Sequence, residues 1–161
     1  MTRKMTSAMI LMVLLSLAVA GVAQAQTEAA IAVTRSDLQA DRQAVIAANL
    51  PMTEVESAAF WPIYRAYRAE IAVIGDKMVA IISAYAKAYN EQAMTDEQGT
   101  TWTKEVLKLK KDALGVRESY LGKFGKVLPG KSVACFYQIE NKLDAAVDVS
   151  IAAEVPLVEV K

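Results

Sequence analysis

Thr53-Glu54-Val55-Glu56-Ser57-Ala58-Ala59-Phe60-Trp61-Pro62-Ile63-Tyr64-Arg65-Ala66-Tyr67 begins with a helix-start signal and leads straight into a helical period. The Thr53 hydroxyl is placed to accept from the backbone N–H three residues on. Glu56 can reach back to the N–H of Thr53, which completes a capping box. Beyond it, Phe60, Tyr64, Tyr67, Ile71, Ile74, Met78, Ile81, Tyr85 and Ala88 alternate steps of four and three, laying a heptad seam on one helix face. The spacing predicts a helix from Glu54 to about Asn90, about 55 Å long at ~1.5 Å per residue. Pro62 lies inside it and predicts a kink, because it removes one ladder bond and crowds the preceding turn.

Met94-Thr95-Asp96-Glu97-Gln98 repeats the cap, with Thr95 and Gln98 as the reciprocal pair. Trp102, Val106, Leu109, Ala113, Val116, Tyr120 and Val127 then form a second seam, broken by Lys123, over a helix from Asp96 to about Val127. The connection near Asn90 to Met94 is short, so this helix folds back antiparallel on its predecessor. A second stripe, Leu107, Leu114, Leu121 and Leu128, lies about 100° around the same helix. One face meets the preceding helix, and the other needs the terminal helices or a second subunit. Ser36-Asp37-Leu38-Gln39 opens a shorter helix from Asp37 to Ala48, which Asn49-Leu50-Pro51 stops. Pro129-Gly130 separates a fourth helix, Lys131 to about Ala153, with Phe136, Ile139, Leu143, Ala146 and Val147 on its inner side. The fold class expected is all-α: a long kinked antiparallel hairpin with a short N-terminal helix and a C-terminal helix.

At the start of the chain, Arg3 and Lys4, an uncharged run from Met9 to Val22 and Ala23-Gln24-Ala25 have the three parts of a secretory signal. The expectation is cleavage after Ala25, a single helical domain over 26–161, and a periplasmic or secreted location without stable membrane insertion. The signal holds two of the 18 Lys+Arg and none of the 18 Asp+Glu, so residues 26–161 carry 16 minus 18, a formal charge of about −2. Such balance gives no general drive toward nucleic acid. A lone Cys135, among Val133, Ala134 and Phe136, excludes an internal disulfide and reads as a small buried hydrophobe.

The chain has no His. That removes HExxH zinc sites, Glu-x-x-His di-iron pairs, His-ligated haem and Ser-His or Cys-His nucleophiles. No Gly-rich phosphate loop is present either, since Gly115, Gly122 and Gly125 lie within a helical pattern and read as close packing or local weakness. Acidic residues such as Glu54, Glu56, Asp96 and Glu97 sit in first turns, where the helix dipole favours them. No catalytic, cofactor or metal set can be assembled, so the expectation is a binding protein and not an enzyme. Trp61, Ile82 and Tyr89 fall off the main seam at multiples of seven and are candidates for a partner-binding flank, with Lys104, Lys108 and Lys111 as a basic run beside it. A carrier enclosing a small apolar ligand between its helices is the alternative.

The repeated cap also resembles a known signature. Met94-Thr95-Asp96-Glu97-Gln98 looks like the LTxxQ motif with Met for Leu, and Met52-Thr53-Glu54-Val55-Glu56 looks like a degenerate copy. Two copies opening successive long helices of an exported chain resemble the Spy/CpxP family of periplasmic stress proteins, over roughly Thr53 to Val127. That resemblance implies an antiparallel homodimer of kinked hairpins whose concave face holds unfolded clients without ATP or restrains a sensor protein. Related members bind zinc, for which this chain has no His, and the part from Pro129 onward has no counterpart in the resemblance.

Overall fold

A computed structural model describes residues 41–159. The signal segment, its cleavage site and the start of the first helix lie outside the described residues. The chain divides into two compact units, one ending at Ala47 and one beginning at Ala48. Among the described residues all regular structure is helical. Helix α1 covers 41–49, and the second unit holds α2 (Glu54–Asn90), α3 (Asp96–Gly125) and α4 (Gly130–Glu154).

Helices α2 and α3 form the expected hairpin, and α2 continues through Pro62 instead of ending there. The turn between them is a Schellman closure: the Ala93 N–H donates to Ala88 O and the Gln92 N–H to Tyr89 O. Gln92 takes the left-handed position of this motif, φ 52°, where glycine is the usual occupant. Phe60, Tyr64 and Tyr67 of α2 are buried against Tyr120 and Phe124 of α3 and Phe136 of α4. Ring centroids stand 4.6 Å apart for Phe124–Phe136, 5.4 Å for Phe60–Phe124 and 5.5 Å for Tyr67–Tyr120. Aromatic pairs at such spacing contribute about 0.5–1.5 kcal/mol each beyond the area they bury. Further along the hairpin the α2 seam is only half-buried from Ile71 to Tyr85.

The structure departs from the periodic reading in four places. Phe124 is fully buried and carries the α3 seam on from Tyr120 by a step of four, whereas Lys123, one residue earlier, stands outside with its Nζ 3.6 Å from the Tyr120 ring centroid. On α4 the inner line is Val133, Phe136 and Glu140, while Ala146 and Val147 are exposed. Gly115, Gly122 and Gly125 mark no close approach, because a Cβ at any of them would meet nothing within 4 Å. Cys135 is half-buried, with its Sγ 3.7 Å from Asn49 O.

Candidate functional site

The two capping motifs have the same local geometry. Thr53 Oγ1 accepts from the Glu56 N–H at 3.2 Å while Glu56 Oε2 accepts from the Thr53 N–H at 2.7 Å. Thr95 and Gln98 repeat this at 3.2 and 2.9 Å. The bond from the Thr53 backbone, followed by that from its hydroxyl, holds the Glu56 carboxyl below its ordinary range. Thr53, Glu56, Thr95 and Gln98 thus spend their polar atoms on starting helices.

Trp61, Ile82 and Tyr89 do not form one patch. Trp61 and Tyr89 are 28 residues apart on one helix, about 42 Å. The Trp61 indole N–H donates to Ser57 Oγ at 3.0 Å, and its ring meets Phe60 and Tyr64 edge-on. Tyr89 stacks on Tyr85 at the far end, and Tyr85 in turn meets Trp102 at 6.1 Å. These aromatics cap the two ends of the hairpin and are half-buried, as is Ile82.

The predicted lysines fall on a more continuous surface. Lys104, Leu107, Lys111, Leu114, Glu118 and Leu121 follow one another along α3 in steps of three and four, so they share a face. It is the outer face: Leu107, Leu114 and Leu121 are 63%, 55% and 54% exposed. Lys108 flanks it and is tied to Asp112 at 2.7 Å. Of the leucine stripe only Leu128 is buried, where the chain turns from α3 into α4. Helix α4 therefore leaves the other three uncovered. Its side-chain contacts fall on α3 around Arg117, Phe124 and their neighbours, because Tyr137 Oη donates to Arg117 O and Arg117 pairs with Asp144.

A buried polar cluster was not foreseen. Glu140 is 1% exposed and pairs with Arg68 at 3.1 Å, with Tyr64 Oη at 3.5 Å from its other oxygen. Tyr67 lies within electrostatic reach of Glu140, Arg117, Arg68 and Asp144, and burial, followed by the Glu140 charge, pushes its hydroxyl up to about 12. Tyr120 donates to Glu70 across the hairpin at 2.7 Å, and that bond, ahead of burial, pushes its hydroxyl to about 12 as well. The signal for the cluster was present: Glu140 falls four residues after Phe136 and seven after Val133, on the inner line of α4. A carboxylate at such a position must be paired, and only the fold shows with what.

Among the described residues no group of His, Cys, Asp and Glu could hold a metal ion, and no helix is long and apolar enough to cross a membrane. Compared with protein-family models, curated proteins and solved structures, the chain gave no match in any of the three.

Proposed function

We propose that this chain is an exported, non-enzymatic helical binding protein of the cell envelope that shields apolar segments of other proteins without ATP, as a chaperone or stress adaptor. The observation that carries the reading is the outer face of α3, where Leu107, Leu114 and Leu121 stand exposed at seven-residue spacing between Lys104, Lys111 and Glu118. Exposed apolar rows rimmed by charge mark sites of protein contact. Covering three leucines already half out of water contributes about 1 kcal/mol apiece. That is small against the cost of association and the ~800 Å² per partner that a stable interface buries. Such a face suits brief, reversible contact, with the lysines attracting acidic flanks.

The experiment is suppression of aggregation of a chemically unfolded client at near-equimolar protein and no ATP. The wild-type protein is expected to suppress, and a Leu107→Ser/Leu114→Ser/Leu121→Ser variant to lose suppression while keeping its helicity and urea midpoint. Equal suppression by the variant would move the contact off α3. A folded wild-type protein that leaves aggregation untouched would defeat the chaperone reading itself.

A further inference from the structure

From Ala145 to Glu154 every residue of α4 is exposed, and seven of these ten are Ala, Val or Ile, pointing in all directions around the helix. A helix that is apolar all round is normally buried. Val147, Val149 and Ile151 are β-branched and weak helix formers, so these last three turns depend on packing to hold them. Val149 is nonetheless 70% exposed.

The charges on this segment have an order. Lys142, Ala145, Val149 and Ala152 follow one another in steps of three and four and share a face, with Lys142 at its start and Glu154 at the end of the helix. The last turns of α2 and α3 carry Lys87 and Lys123, but that of α4 carries no basic residue. The negative end of its dipole, which favours a cation, has an acid instead. The outer face of α3 has the complementary order, with Lys104 and Lys111 first, Glu118 last and Leu107 and Leu114 between them. Lys142 to Glu154 spans about 18 Å and Lys104 to Glu118 about 21 Å. Among the described residues none of these five charged side chains has an ion pair.

We propose that the end of α4 docks antiparallel on the outer face of α3 of a second copy of this chain. Lys142 then meets Glu118, Glu154 and the helix end meet Lys104 and Lys111, and Val149 with its flanking alanines lies against the leucine row. A parallel arrangement would set like charges together at both ends. Within one chain α4 is held elsewhere, by Arg117 at Asp144 and by Tyr85 at Pro156 O, and its own leucine row stays uncovered. One such contact joins fewer than the 20–30 residues a side of a stable interface, so the association is weak and concentration-dependent. The inference rests on the α3 face being the contact surface for clients: the second copy covers that face until a client displaces it.

The test is sedimentation equilibrium of protein purified from cells expressing the full chain, beside the client-aggregation assay. Wild type is expected to exceed the monomer mass as concentration rises. Val149→Lys sets a charge opposite Lys111 at an exposed position where lysine is the better helix former, so it should weaken self-association about tenfold or more with helicity unchanged. Its client suppression should equal or exceed that of wild type. Glu118→Lys and Lys142→Glu should each weaken self-association about threefold, and the double reversal should recover it. A wild type monomeric at every concentration, or Val149→Lys associating like wild type, overturns the self-contact. A double reversal no better than the single ones overturns the antiparallel pairing, and weakened suppression by Val149→Lys overturns the competition with clients. A wild type that associates but suppresses no aggregation defeats the client reading and leaves the self-contact standing.

Discussion

Replacing Glu140 by Leu tests whether the buried ion pair holds α4 to the hairpin. The carboxylate is 1% exposed and its partner Arg68 is 17% exposed, so Glu140→Leu strands a mostly dehydrated guanidinium. Removing one member of a buried pair typically costs about 3–5 kcal/mol. Arg68 retains some water, which places the expected loss at the lower end, about 3 kcal/mol. With a urea dependence of ~1–3 kcal/mol per molar, the unfolding midpoint should fall by about 1–3 M. Arg68→Met combined with Glu140→Leu removes both charges and leaves two apolar side chains of similar length. It should recover most of that loss, because a buried pair gains little over well-packed apolar residues. Urea unfolding followed by circular dichroism measures all four corners of the cycle. If Glu140→Leu alone matched wild type, or the double variant were no better than the single one, the pair would not be what secures α4.

Phe124→Ala should cost about 3–5 kcal/mol, the usual range for truncating a fully buried aromatic, and a loss below 1 kcal/mol in urea unfolding would contradict its place in the aromatic core. Gln92→Gly should raise stability by about 1 kcal/mol by relieving the left-handed backbone at φ 52°, visible as a higher thermal midpoint. Thr95→Ala should lose about 1 kcal/mol through the α3 cap. For Glu56, the folded carboxyl titrates below the ordinary glutamate range, so its contribution is present at and above that range and disappears as pH falls through the lowered value. Wild type should therefore be more stable than Glu56→Gln at pH 7, and the two urea midpoints should converge in acid.

The sequence by itself determined the helices and where they begin. A capping box is a contact over three residues, and a heptad seam is a property of one helix, so both can be read without knowing any neighbour. Helices α2 and α3 accordingly start where Thr53 and Thr95 place them, and α2 ends at Asn90 as its seam predicts. Ends without a side-chain cap were read less closely: α3 stops at Gly125, short of Val127, and α4 begins one residue earlier than Lys131.

Tertiary structure decided which apolar faces are covered. The buried seam of α3 and its outer leucine stripe are equally regular in the sequence, and nothing local distinguishes a leucine that will face a partner helix from one that will face water. The choice followed from how the helices pack, which buries Leu128 and leaves Leu107, Leu114 and Leu121 outside. The pairing of Glu140 with Arg68, 72 residues away, is of the same kind. The burial that makes such a pair necessary arises only when three helices converge, so its energy and its partners belong to the assembled bundle and to no segment of it.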